Sequence, residues 1–255
     1  MTSTPSLVSF SILFGAALWA GAQNALAGGG SFVTLPALML TGLDARAANI
    51  TSTIALFPGQ INAGVMGRKG AAGLGAVSLK ALMAVSLAGG LIGAMLLMAT
   101  PPAFFARLLP WLVLAATSLF TWGSFFRKAP SEQHHGGYGP RTILFIQFLI
   151  GVYGGYYGGG IGFLMMASLT IAGQAVRTAG ATKNVLATIM NASAAAYFLF
   201  MPGLDYARIG VLAVGALLGG VAGVYILRRV NEKALRVGIV ILGAALTIGL
   251  FVRAH

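Results

Sequence analysis

The chain has 255 residues, of which 58% are hydrophobic and only 8% are charged, and its net charge is +12. Soluble domains carry about 25% charged residues, so this chain has too few to cover the surface of a soluble fold. It contains no cysteine, which excludes disulfides and thiol chemistry. Its four acids are scattered without metal-ligand spacing, so we expect no metal site and no cofactor.

Apolar stretches of about 20 residues recur along the chain, which is typical of an all-α, polytopic membrane protein. The predicted helices span 7–26, 31–42, 46–66, 76–98, 103–125, 141–156, 161–172, 177–200, 208–228 and 234–252. The polar linker 126–140 separates a first membrane repeat, 1–125, from a second, 141–255. The segments 31–42 and 161–172 are too short to span a bilayer, because twelve helical residues rise only about 18 Å. We expect each to be one arm of a helical hairpin.

The two halves share blocks of residues at a nearly constant offset. The run Gly28-Gly29-Gly30 returns as Gly158-Gly159-Gly160 after 130 residues, and Thr51 returns as Thr182 after 131. The GxxxG positions Gly89 and Gly93 return as Gly219 and Gly223, and their spacing predicts close helix packing. Several blocks in the same order indicate a duplication. Three consecutive glycines interrupt a helix, and paired interruptions in two repeats are typical of a transporter's binding site.

Basic residues at the segment ends predict an orientation and explain the net charge without a nucleic-acid partner. If the loop 67–70 is cytoplasmic, ten bases lie on that side and four on the other. The ten are Arg68, Lys69, Arg127, Lys128, Arg141, Arg177, Arg228, Arg229, Lys233 and Arg236, and the four are Arg46, Arg107, Arg208 and Arg253. The halves are then inverted repeats of about five segments each, the linker is cytoplasmic and both termini are periplasmic. Inverted repeats hold substrate near the midplane, at their interface.

The glycine runs and the polar rows on the third segment of each half predict the substrate site. Each run precedes a short helix, and helix N-termini attract anions. The polar rows are Thr51, Ser52, Thr53, Gln60 and Asn62 in one half and Thr182, Lys183, Asn184, Asn191 and Ser193 in the other. Such groups should face an interior cavity, with interhelical hydrogen bonding as the alternative. The predicted site residues are Gly28, Gly29, Gly30, Ser31, Thr51, Ser52, Gln60, Gly158, Gly159, Gly160, Thr182, Lys183 and Asn191.

Lys183 lies in an apolar segment with no acid nearby in sequence. A membrane lysine without a carboxylate partner faces water, snorkels to the surface or holds an anion, and all three readings stay open for Lys183. Lys80 lies near the start of its segment and is expected to snorkel. None of the acids is predicted to lie in the middle of a segment, which disfavours a carboxylate proton relay and an acidic ring that selects cations. The polar groups therefore favour an anionic substrate.

The blocks around the first glycine run resemble a known family. Gly28-Gly29-Gly30, Pro36 and the run Ala48-Asn49-Ile50-Thr51-Ser52 are similar to the four-toluene-sulfonate uptake permease family, also called the sulfite exporter TauE/SafE family. The resemblance covers nearly the whole chain. It implies movement of sulfite, sulfonates and related organosulfur anions across the bacterial inner membrane.

The second half departs from this pattern at two positions. Met166 stands where Pro36 stands in the first half, and Lys183 follows Thr182 where a serine follows Thr51. The two glycine runs therefore need not bind substrate equally.

Together these patterns predict a transporter of small oxyanions in the lipid bilayer, and not an enzyme. An inside-negative potential of 100 mV drives one anionic charge outward with about 2.3 kcal/mol, which favours export. A passive anion channel and an uptake permease coupled to a cation are the alternatives. A membrane-embedded enzyme or assembly subunit would need a catalytic or partner-binding constellation that the sequence does not offer. The anion and the oligomeric state, including a homo-oligomer, stay open.

Overall fold

The computed structural model describes residues 6–26, 29–126, 138–226 and 232–254. The helices are α1 Leu7–Leu26, α2 Ser31–Leu40, α3 Ala45–Gly67, α4 Leu79–Ala99, α5 Pro102–Thr121, α6 Pro140–Tyr156, α7 Ile161–Ile171, α8 Val176–Leu199, α9 Tyr206–Ile226 and α10 Glu232–Ala254. A π-helical turn, Trp122–Phe126, continues α5. The only strand-like pairing among the described residues is an isolated bridge between Leu74 and Val77.

The all-α prediction is confirmed, and the helix ends lie within three residues of the predicted ones except at the end of α5. Within the described ranges, three helices, α1, α4 and α5, are long and apolar enough by length and composition to cross a membrane. The short helices α2 and α7 have 10 and 11 residues, a rise of about 15–17 Å. They cover roughly half of a hydrocarbon core of about 30 Å.

Helices five apart in chain order occupy equivalent places in the bundle. Helix α1 packs on α9, and its equivalent α6 packs on α4. Helix α3 packs on α9, its equivalent α8 packs on α4, and α3 and α8 pack on each other. The short helices α2 and α7 lie against α3 and α8 in the same manner. Each half therefore contributes helices to the packing of the other half.

Glycines allow two of these helix pairs to touch through their backbones. A Cβ on Gly93 of α4 would lie 2.7 Å from the backbone nitrogen of Tyr156 in α6. A Cβ on Gly89 would meet the same helix, and one on Gly219 of α9 would lie 2.7 Å from the Cα of Leu18 in α1. The close packing predicted at these three glycines is confirmed. The fourth position, Gly223, lies outside the part of the chain whose packing is described.

The bundle has two ends, which we name by the first and last residues of α3. At the Ala45 end, Arg46 of α3 donates to the carbonyl of Thr100, just after α4, at 3.0 Å. At the Gly67 end, Gln174, just before α8, donates to the carbonyl of Ala72 at 3.1 Å. Helices α3 and α9 therefore run from the Ala45 end to the Gly67 end, and α4 and α8 run the other way.

Gly93→Ala should separate α4 from α6, because the new methyl group would collide with backbone atoms that cannot move independently. Overpacking of this kind costs about 1–3 kcal/mol. We expect a lower melting temperature for the detergent-purified protein. Gly249→Ala is the matched control, since a Cβ there would meet nothing within 4 Å. Equal melting temperatures for the two variants would contradict the backbone contact.

Candidate functional site

Both helical hairpins turn at their glycine runs, and equivalent side chains hold the two turns. Gly29 and Gly158 have φ angles of +82° and +76°, a left-handed conformation that glycine adopts without steric cost. The Gln23 side-chain amide donates to the carbonyl of Gly29 at 3.1 Å. The Tyr153 hydroxyl donates to the carbonyl of Gly159 at 2.9 Å. Gln23 and Tyr153 are related by the 130-residue offset, so side chains at equivalent positions hold both turns.

The two short helices begin differently. The N–H of Gly30 donates to Oδ1 of Asn24 at 2.8 Å, so this amide is already paired. The residue equivalent to Asn24 in the second half is Gly154, which has no side chain. Helix α7 begins after Gly160 without a side-chain cap. Its first N–H groups and the partial positive charge of its N-terminus are therefore available to a ligand.

A cavity of about 220 Å³ lies between the two turns. Gly29 and Ser31 line it from the first hairpin, and Gly158, Ile161 and Gly162 line it from the second. Helices α1, α3, α8 and α9 supply the remaining walls. The two glycine runs thus border one common space, large enough for several water molecules or a small oxyanion.

The walls from α3 and α8 follow the helical period. On α8, Lys183, Ala187 and Asn191 are spaced four residues apart and line the cavity from one face. On α3, Gln60 and Ala63 are three residues apart and also line the cavity from one face. The α3 and α8 walls are joined by the hydroxyl of Thr188, which donates to the carbonyl of Gln60 at 2.8 Å.

Lys183 gives the cavity a positive charge. Its ammonium makes no hydrogen bond or ion pair with another residue in the described ranges, and no aspartate or glutamate is among the lining residues. Gln60 adds a second unpaired group, because its side-chain Oε1 is buried without a hydrogen-bond partner in that part of the chain. A buried polar atom of this kind costs free energy unless water or a ligand pairs with it. The cavity therefore contains one unpaired cation and one unsatisfied polar atom.

The structure brings together some of the predicted site residues and separates others. Those that line the cavity are Gly29, Ser31, Gln60, Gly158, Lys183 and Asn191. Those that do not are Gly30, Thr51, Ser52, Gly159, Gly160 and Thr182, and Gly28 lies outside the described residues. Gly160 instead packs on α5, where a Cβ would lie 2.9 Å from the Cβ of Ala116.

Ser52 and Thr182 are buried in helix packing. The hydroxyls of Ser52 and Thr34 lie 2.6 Å apart, between α3 and α2. The hydroxyl of Thr182 accepts from the N–H of Ala72 at 3.1 Å and so fixes the loop after α3. Ser52 follows the alternative of interhelical hydrogen bonding, whereas Thr182 bonds a helix to a loop. Thr182 points about 100° away from Lys183 around α8, because successive helical residues turn by that angle.

Thr51 lies at a second, smaller pocket of about 120 Å³ at the Ala45 end, together with Asp44, Arg46 and Asp205. Its nine-residue separation from Gln60 turns it about 180° around α3, so the two cannot face one cavity. Helical phase thus divides the polar row of α3 between two sites.

Asn24, Gly59 and Thr188 are among the lining residues that the predicted polar rows and glycine runs did not include. Asn24 is an amide in an apolar helix just before the glycine run, a signal the sequence did offer. Thr188 lies on the face of α8 that also carries Asn184 and Asn191, at helical spacing. Gly59 has no side chain, so nothing in its chemistry marks it.

A model of the family described as sulfite exporter TauE/SafE matches residues 13–250. The chain belongs to the sulfite exporter TauE/SafE family. This confirms the family that the glycine-run blocks indicated. Together with its apolar helices, membership of the TauE/SafE family makes the chain a membrane protein.

Similar proteins from three bacteria extend over nearly the same length. The probable membrane transporter protein YfcA of Escherichia coli K12 is 28% identical over 96% of this chain and 90% of its own length. The probable membrane transporter protein ORF9 of a Sinorhizobium species is 31% identical over 93% of this chain and 90% of its own. A probable membrane transporter protein of Haemophilus influenzae is 27% identical over 92% of each chain.

Asn24→Ala should destabilise the first hairpin, because the N–H of Gly30 loses its acceptor. Leaving a buried donor without a partner costs about 1–3 kcal/mol. We expect a lower melting temperature than that of Asn62→Ala, the matched control, whose side chain is exposed on the rim of the same cavity. Equal melting temperatures for the two variants would show that this hydrogen bond contributes nothing to the turn.

Proposed function

We propose that this TauE/SafE chain is a membrane transporter that exports small oxyanions, such as sulfite, sulfonates or related organosulfur anions. The observation that carries the proposal is Lys183, an unpaired cation in the wall of a cavity bordered by both glycine turns. A cation at membrane depth without a carboxylate partner is unfavourable unless water or an anion accompanies it. A small anion would satisfy Lys183 and the uncapped N-terminus of α7 together.

Gln60 and Asn191 would orient the bound anion. They occupy equivalent positions, 131 residues apart, and both line the cavity. An amide can donate or accept, so this pair suits an oxyanion whose oxygen atoms accept hydrogen bonds and whose protonated form also donates one. The turn glycines Gly29 and Gly158 would let the anion approach the backbone closely.

We infer that the two halves are inverted repeats. Support comes from the equivalent packing of helices five apart, with α1 on α9 and α6 on α4. The Gly67 end carries the exposed bases Arg68, Lys69 and Arg177, which favours a cytoplasmic location for that end. At the Ala45 end, Arg46 and Arg208 are instead bonded to backbone carbonyls. Both chain termini would then be periplasmic.

The cavity would be open to the cytoplasm in this state. Two exposed residues on its rim, Asn62 and Met66, lie in the last turns of α3, next to the Gly67 end. Val221 is a third exposed rim residue and lies near the end of α9. An anion produced in the cytoplasm could therefore reach Lys183 directly. Export needs no coupling ion, because the membrane potential already drives an anionic charge outward.

Lys183→Met should weaken anion binding, since it removes the charge while keeping most of the side chain's length. A hydrogen bond to a charged group contributes about 1.5–3 kcal/mol, which corresponds to roughly 10- to 100-fold in affinity. The measurement is the shift in melting temperature caused by sulfite, thiosulfate, taurine or sulfoacetate, followed by anion flux into proteoliposomes.

Lys80→Met is the matched control, because Lys80 is exposed in the first turn of α4 and far from the cavity. Its anion response should equal that of the unmodified protein. Unchanged binding and flux in Lys183→Met would remove Lys183 from the site and with it the basis of the proposal.

Export should follow the membrane potential without a cation gradient. In proteoliposomes loaded with labelled anion, an outward-driving potential of 100 mV should shift the flux equilibrium by about 2.3 kcal/mol per charge. Flux should saturate and exchange labelled for unlabelled anion, whereas a passive channel would do neither. Flux that requires a sodium or proton gradient would favour the coupled uptake permease instead.

A further inference from the structure

The duplication creates two equivalent spaces between the helices. The cavity is one of them, and only this one is open. At the open space, α1, α3 and α9 contribute Asn24, Gly59 and Gly220 to the lining. The residues related to these by offsets of 130 and 131 are Gly154 of α6, Met190 of α8 and Gly90 of α4. Helices α4, α6 and α8 pack together as α9, α1 and α3 do, so these three residues border the second space.

Met190 occupies that second space. Its side chain is completely buried. A Cβ on Gly154 would lie 2.6 Å from the Met190 Cε, and one on Gly90 would lie 2.9 Å from the Met190 Cγ. The side chain thus lies directly against two glycines and leaves no gap between α4, α6 and α8.

The open space persists because its residues do not fill it. A Cβ built on Gly59 would meet nothing within 4 Å. Asn24 is larger than its equivalent, Gly154, but its side chain turns back to accept from the N–H of Gly30. The second space is therefore filled by the Met190 side chain. The open space has Gly59, without a side chain, at the equivalent position.

We propose that the side chain of Met190 is the barrier that closes the cavity toward the Ala45 end, and that Gly59 leaves the equivalent path toward the Gly67 end open. Methionine suits this role because it is unbranched and rotates about three bonds, so it can move aside without a large shift of the helices. This inference rests on the proposed function only in treating the cavity as part of a transport path.

The path beyond Met190 can be traced by the same relation. The exposed rim residues Asn62 and Met66 correspond to Ser193 and Tyr197, which lie on α8 toward the Ala45 end and are half-buried. Val221 corresponds to Leu91, which is exposed on α4. If the Met190 side chain were absent, water would gain a route from the cavity to these residues.

Because the chain contains no cysteine, one introduced cysteine can report whether a reagent reaches the cavity. A single reporter, Ala187→Cys, is placed in the cavity wall, one turn before Asn191. It is labelled with a small, anionic, membrane-impermeant thiosulfonate in right-side-out and in inverted membrane vesicles. We expect labelling from one face only, the cytoplasmic face under the proposed orientation. Adding Met190→Gly should raise labelling from the protected face at least tenfold.

Met165→Gly is the matched control, because Met165 is equally buried in the same core but lies on α7, outside the three helices α4, α6 and α8. It should leave the protected face protected. The proposal is wrong if Met190→Gly is still labelled from the open face but gains no labelling from the protected face. If Ala187→Cys alone is labelled from the periplasmic face, the proposed orientation is wrong. The comparison of Met190→Gly with Met165→Gly would still test the barrier.

Gly59→Met gives a second, independent variant in case Met190→Gly does not fold. The new side chain has room in the cavity, and it should slow labelling of Ala187→Cys from the open face at least tenfold. Unchanged labelling in Gly59→Met would also overturn the proposal, since the same side chain would then fail to close the equivalent space.

Discussion

Backbone contact at glycines between helices of opposite halves is the constraint on which the rest of this structure depends. Between membrane helices there is no water-driven attraction, so association relies on close packing. The pairs α1–α9 and α4–α6 each join the two halves, and each includes glycines whose Cβ atoms would collide with the partner's backbone. Since α1 and α6 are also the long arms of the hairpins, this packing brings both glycine turns to one place.

The cavity between the turns has a composition that is unfavourable when empty. Lys183 has no carboxylate partner in the described part of the chain, and the buried Oε1 of Gln60 has no hydrogen-bond partner there. A region of low dielectric strengthens the attraction of Lys183 for an anion, and it raises the cost of leaving either group unpaired. A small anion would pair with Lys183, and water or the protonated form of such an anion would donate a hydrogen bond to the Oε1 of Gln60.

The proposed duplication would supply the scaffold, and differences at a few positions make its two sides unlike. The turn-holding residues Gln23 and Tyr153 differ in chemistry but perform the same task. Ser52 bonds to a neighbouring helix, whereas Lys183, at the equivalent position of α8, faces the cavity. An inverted pair that was symmetric in every side chain would have no preferred open side. Asymmetry of this kind is therefore a natural way to fix the resting state of a transport path.

The sequence by itself determined the helices and the glycine interruptions, because both depend on local composition, and repetition along the chain predicted a relation between the halves. It also indicated Gln60, Lys183 and Asn191 as polar groups too costly to leave in lipid. The tertiary structure alone decided which polar groups share a cavity. Thr51, Ser52 and Thr182 face other neighbours because helical phase and helix packing, and not proximity in sequence, set the direction of a side chain. The role of Gly59 also depends on the tertiary structure. A missing side chain leaves an open space only where packed helices surround it.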